Sequence, residues 1–311
     1  MYSGITNALI KVFFITLFGT VILDVVMRKL GKIGLLHNLY PNVRGGTPRG
    51  VGIILYLVLS FYLPGGYNIL VLIMGLFAFM DDLLGRRKIS HYNMQWGQLL
   101  RGIGMISVMV LGFYFGLGIS SIFIALLIQP LNISDMQPGS TCSVTLIISA
   151  IVLALMVGFH IGTFDDIPSF YTPLLIIIAT IAYCPLDFAG KIMLGEVGNH
   201  SLAIALGISF YLLGGLPTVI LFIVITSFLI AFVRRNSLKV YFARNMGLTN
   251  PVFCDYVMDV LTGGGLGDLI RKLLWKNKQP VVKSNLLILL GARRFVFNPA
   301  AHRMGHLSYF D

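Results

Sequence analysis

Apolar runs recur along this chain from Ala8 to Val233, each closed by glycine, proline or charged residues, and several are long enough to cross a bilayer. Hydrophobic residues make up 57% of the sequence and charged residues only 11%, where a soluble domain carries roughly a quarter charged. The chain therefore belongs in a membrane. Its first run, from Ala8 to Met27, lacks a short basic leader and a small-residue cleavage site, and is read as a spanning helix. Nine crossings are expected, near residues 8–27, 50–63, 68–80, 101–116, 119–130, 141–161, 170–184, 200–214 and 216–233. Two divisions, at Pro64-Gly65-Gly66 and at Gly116-Leu117-Gly118, decide the count.

Charge tests those divisions. With both in place, the connections at 28–49, 81–100, 131–140 and 185–199, their membrane edges and residues 234–311 lie on one side and hold 22 of the 23 Lys and Arg residues, Lys11 being the exception. The positive-inside rule makes that side cytoplasmic, with the N-terminus outside and the C-terminus inside. The expected fold is an all-α polytopic bundle at 1–233, followed by a basic cytoplasmic tail at 234–311 whose apolar run Asn285–Leu290 suits an interface with anionic lipid. The net charge of +11 is then topological and calls for no nucleic acid. No dinucleotide-binding or P-loop pattern is present, and Cys142, Cys184 and Cys254 are scattered packing residues with no metal-ligand spacing.

Four polar sets fall on the charged side. Residues 41–52, P-N-V-R-G-G-T-P-R-G-V-G, combine glycines that permit close backbone approach with Arg44 and Arg49, forked donors suited to phosphate oxygens; a juxtamembrane turn is the plainer reading. Asp81-Asp82 ends the third run just before Arg86, Arg87 and Lys88. Carboxylates at a membrane edge suit a Mg2+ ion shared with phosphate, although those cations could also satisfy them. Asn132-Ile133-Ser134-Asp135-Met136-Gln137-Pro138-Gly139 taken alone is an ordinary turn. Glu196, the only glutamate, stands between two glycines where the eighth run begins, placed either to cap that helix or to bind a metal. Asp165-Asp166 looks like Asp81-Asp82 but falls on the opposite side and receives no role; His302 and His306 read as surface histidines of the tail.

In this order, T-P-R-G-V-G at 47–52, F-M-D-D-L-L-G at 79–85, N-I-S-D-M-Q-P-G at 132–139 and M-L-G-E-V-G-N at 193–199 resemble the motifs of the polyprenyl-phosphate N-acetylhexosamine-1-phosphate transferases, the superfamily that includes phospho-N-acetylmuramoyl-pentapeptide transferase. The resemblance runs from about Pro41 to Val233. It implies transfer of a sugar 1-phosphate from a UDP-sugar to a polyprenyl phosphate such as undecaprenyl phosphate, with release of UMP and a requirement for Mg2+ or Mn2+, in a plasma membrane of the bacterial kind. It also implies that Asp81 and Asp82 are the catalytic pair, that Asn132 and Asp135 contact substrate, and that Glu196 stands at a metal-binding position; with the loop and carboxylate readings above, Arg44, Thr47, Arg49 and Asn199 are expected at the substrate and Asp82 beside Glu196 at the metal. Glu196 stands where the family has aspartate, and Asn199 where it has serine. A non-catalytic protein that binds the lipid carrier on the same fold is the alternative. A secondary transporter fits less well, since Asp24 is the one mid-span charge and no paired broken helices are seen. Whether the chain forms a homodimer is left open.

Overall fold

The computed structural model describes residues 2–85, 87, 95–164, 167–276 and 278–299. Asp165-Asp166, His302 and His306 lie outside them, as do Arg86 and Lys88. The described chain is almost wholly helical, its one strand pair being β1 (Thr163–Phe164) against β2 (Ile167–Pro168). Among the described residues six helices are long and apolar enough to cross a membrane: α1 (Tyr2–Lys32), α3 (Tyr67–Leu84), α4 (Trp96–Tyr114), α7 (Ser140–Gly158), α8 (Tyr171–Phe188) and α9 (Gly195–Met246). The protein is thus an all-α, multi-pass membrane protein. The expected crossings at 50–63 and 119–130 are occupied by shorter elements, α2 (Ile53–Tyr62) and the consecutive α5 (Ser120–Leu126) and α6 (Ile128–Ser134). At about 1.5 Å per residue, the ten residues of α2 reach roughly 15 Å, half the hydrocarbon thickness.

The breaks fall where glycine and proline put them. Leu63 is extended and Gly65 and Gly66 have positive φ between α2 and α3, while Gly116 and Gly118 do the same between α4 and α5. The long α9 is interrupted at Gly214 and Gly215, whose dihedrals are not helical, so it consists of an N-terminal arm and a C-terminal arm.

Two compact units are present, residues 1–223 and 224–311. In the first, α3 packs along α4, α7 along α8, and α1 against α8 and α2. The N-terminal arm of α9 is buried on every side from Val197 to Phe210, as expected of a helix apolar around its full circumference. It is the central helix of the unit. Its first turn is approached by backbone, because Gly52 and Gly198 meet face to face: a Cβ on Gly198 would lie 2.7 Å from Gly52 Cα, and one on Gly52 would lie 2.6 Å from Gly198 Cα.

The second unit comprises the end of α9 with α10 (Phe253–Thr262), α11 (Gly264–Trp275), α12 (Asn285–Leu289) and α13 (Ala292–Val296). Within this unit Tyr256 of α10 packs 5.4 Å from the Phe242 ring of α9.

Alanine at Gly52 or Gly198 should force the two backbones apart and lower stability by about 1–3 kcal/mol, the usual range for an overpacked site. Alanine at Gly4, where nothing lies within 4 Å of an added Cβ, should be neutral. Thermal unfolding in detergent micelles distinguishes them.

Candidate functional site

The first turn of α9 begins with Gly195, whose φ of +67° and close approach to Gly50 admit no side chain: an added Cβ would sit 2.8 Å from Gly50 Cα. The loop before α2 is stitched to this turn by backbone, with Met193 N–H donating to Pro48 O at 2.9 Å and Gly52 N–H to Leu194 O at 3.2 Å. The T-P-R-G-V-G and M-L-G-E-V-G stretches thus form one backbone layer, and Arg49 and Glu196 emerge from it together.

Helix N-termini leave N–H groups without partners inside the helix. Here the partner comes from α3. Asp82, with its side chain fully buried, accepts from Glu196 N–H at 3.1 Å and from Val197 N–H at 3.0 Å, and Arg49 Nε lies 3.1 Å from its Oδ1. Asp187 of α8 repeats the device at α7, accepting from Gly139 N–H at 3.1 Å and Cys142 Sγ at 3.2 Å.

Glu196 is the hub of the charged groups. Arg49 Nη2 is 3.5 Å from its Oε1; Arg101 Nη2 and His200 Nε2 are each 3.1 Å from its Oε2. Arg101 Nη2 is also 3.1 Å from Asp81 Oδ2. Asn132 closes the set: in the amide orientation its neighbours dictate, its nitrogen donates to Glu196 Oε2 at 2.9 Å and its oxygen accepts from Arg101 Nη1 at 2.7 Å. Two guanidinium groups thus lie among three carboxylates, each bridging a pair.

Six of the residues expected from sequence meet or adjoin in this network: Arg49, Asp81, Asp82, Asn132, Glu196 and, on the same first turns of α9, Asn199. Asn199 is fully buried, and neither polar atom of its amide finds a hydrogen-bond partner among the described residues. Thr47 is turned to another task, its buried hydroxyl donating to Val43 O at 2.8 Å and folding its own loop. Arg44 donates to Gly190 O at 3.1 Å and lines a separate small cavity with Asp135 and Asp187. Burial and the neighbouring carboxylates of Asp187 and Glu196 push the Asp135 carboxyl well above its usual range.

Two participants, Arg101 and His200, were not singled out by sequence. Arg101 is a lone cation at the start of an apolar helix, a signal that ordinarily marks function in a membrane. His200 shares a helix face with Glu196 at the i, i+4 spacing. Asp24, the mid-span acid of α1, is paired with Arg28 at 2.8 Å, and Arg28 reaches the carbonyls of Gly46 and Lys191, holding the two site loops beside one another.

A resident Mg2+ does not fit these groups as they stand. The oxygens of Asp82 accept two backbone N–H groups and face Arg49, and those of Glu196 face Arg49, Arg101, His200 and Asn132. Among the described residues no group of three His, Cys, Asp or Glu side chains is placed to hold a metal ion. The positive charge beside the carboxylates is carried by guanidinium.

The chain matches no model of a known protein family and no curated protein.

Neutralising Glu196 with Gln should leave Arg101 and Arg49 without their shared anion and destabilise the fold by about 3 kcal/mol, as loss of one partner of a buried ion pair does. The double variant Glu196→Gln/Arg101→Gln should be less destabilised than the sum of the single variants in thermal unfolding. Strict additivity would show that the two side chains do not interact.

Proposed function

We propose that the protein transfers a sugar 1-phosphate from a UDP-sugar to a polyprenyl phosphate at the membrane face bearing its basic loops, that this face is cytoplasmic, and that UMP is released. One observation carries the reading: four polar segments distant in sequence supply Arg49, Asp81, Asp82, Asn132 and Glu196 to one network at the N-terminus of the central helix. In the reaction, an oxygen of the acceptor phosphate attacks the β-phosphorus of the UDP-sugar. The bond from that phosphorus to the bridging oxygen breaks, and UMP leaves with the bonding electrons. Two anionic substrates meet, so stabilising the charge is the main task.

Arg49 and Arg101 are the groups on hand to do it. A guanidinium can exchange a carboxylate partner for phosphate oxygens with the same forked geometry. The helix N-terminus adds N–H dipoles, although Asp82 already engages two of them. Asp82 is thereby a positioning residue, while Asp81, held by Arg101, is the carboxylate assigned to orient or deprotonate the acceptor. Asn132 holds Arg101 and Glu196 in register.

The second reading, a protein that binds the lipid phosphate without turning it over, is favoured by a specific observation. Glu196 is occupied by cationic and amide donors in place of a metal.

The test is UMP release by the full chain in nanodiscs supplied with undecaprenyl phosphate and a panel of UDP-sugars, with and without Mg2+ or Mn2+. Turnover with at least one sugar is expected, and Asp81→Asn should reduce it roughly 100-fold or more, as loss of a general base does. No turnover with any sugar, alongside saturable binding of undecaprenyl phosphate, would overturn the transferase in favour of the binding protein.

A further inference from the structure

The second unit leaves part of its own surface uncovered, and its charges show what that surface faces. Its described acidic residues turn inward. Arg293 Nη2 is 2.5 Å from Asp255 Oδ2, buried Arg294 Nε is 2.5 Å from Asp259 Oδ1, and Arg271 Nη2 is 2.5 Å from Asp268 Oδ1. These arginines hold α10, α11 and α13 together and use up the described acids of the unit. Lys272, Lys276, Lys278 and Lys283 form no ion pair among the described residues, and the last three are exposed.

Between these lysines the surface is apolar. Helix α11 turns Ile270, Leu273 and Leu274 outward at the i, i+3, i+4 spacing of one face, with Leu273 69% and Leu274 67% exposed. Leu286 and Leu289 of α12 are 65% and 61% exposed, and Phe295 of α13 opens with Ile270 and Leu274 onto one depression. A surface that is wholly in water seldom leaves leucines like these together.

The same unit contains the end of a membrane helix. The C-terminal arm of α9 is apolar from Leu216 to Val233 and then turns abruptly to Arg234 and Arg235. Phe253, at the start of α10, packs its ring 5.8 Å from that of Phe228. Phe228 precedes Arg234 by six residues, roughly 9 Å toward the apolar side at about 1.5 Å per residue. The first turn of α10 is therefore level with acyl chain, below the charged belt.

From this we infer that α11–α13 form a membrane-interface module: Leu273, Leu274, Leu286, Leu289 and Phe295 sink among the acyl chains, and Lys272, Lys276, Lys278 and Lys283 bind the phosphates of anionic headgroups. Apolar burial plus lysine attraction to an anionic surface is the chemistry of an interfacial helix. The inference stands independently of the transfer reaction.

The experiment places nitroxides at Leu273→Cys and Leu289→Cys in the full chain, with Cys142, Cys184 and Cys254 replaced, in nanodiscs containing anionic lipid. Collision rates with oxygen and with a water-soluble nickel complex are compared with those at Ile22→Cys on α1. Both labels should prefer oxygen, as the Ile22 label does. Lys→Gln at all four lysines should lower that preference at least about threefold in anionic discs and leave it unchanged in zwitterionic ones. Preferential collision with nickel at both sites would overturn the inference. So would low rates with both reagents accompanied by dipolar broadening, which would identify a second copy as the cover. The unmodified chain provides an independent readout: a phospholipid with a photoactivatable acyl chain should label residues 270–295, and labelling confined to the spanning helices would also overturn it.

Discussion

A carboxylate with no water around it must find donors, and in the first unit Asp82 finds them at the N-terminus of the central helix. Both partners gain: the helix has N–H groups to satisfy, and the buried anion has charge to spread. Because Asp82 comes from α3, this exchange fixes the height of α3 against α9. Arg49 on the same carboxylate fixes the loop before α2. The glycines at 52, 195 and 198 are the steric counterpart, since the backbone layer that delivers Arg49 and Glu196 exists only where no Cβ intervenes.

The carboxylates of this cluster are countered by protein cations, two guanidinium groups among three anions. Arg101 bridges Asp81 and Glu196, and Arg49 bridges Asp82 and Glu196. A buried anion stripped of its cation costs several kcal/mol, so each group holds the others in place. The longer reach of glutamate matters here. Its additional methylene carries the carboxylate away from the helix start, where Asp82 already occupies the N–H groups, and out to Arg49, Arg101 and Asn132. An aspartate at 196 would hold its oxygens closer to the backbone and reach fewer of these donors.

Much of this was legible in the sequence because it depends on local chemistry. The helix breaks at Gly65-Gly66, Gly116-Gly118 and Gly214-Gly215 follow from backbone freedom. Arg49 and Glu196, each beside a glycine with positive φ, emerge from the close backbone approach that those glycines announce. What escaped depends on distant partners. Thr47 and Arg49 belong to one motif, yet one hydroxyl folds its own loop while its neighbour's guanidinium reaches a different helix. Nothing in the string separates those fates. Arg101 carries no local mark of its partners, Asp81 and Glu196, which stand beside it.

The basic C-terminal region shows the same limit from the other direction. Its twelve Lys and Arg residues form one class in the sequence, an excess of positive charge on a polar tail. Among the described members, Arg271, Arg293 and Arg294 turn their forked donors to aspartates within the unit, while Lys239, Lys276, Lys278 and Lys283 stay exposed, as do Arg235 and Arg244 on α9. Removing the acids from the surface in this way concentrates its positive charge without adding a single cation. A helical unit that would otherwise present alternating charges then presents lysines around leucines, a pattern suited to the headgroup boundary.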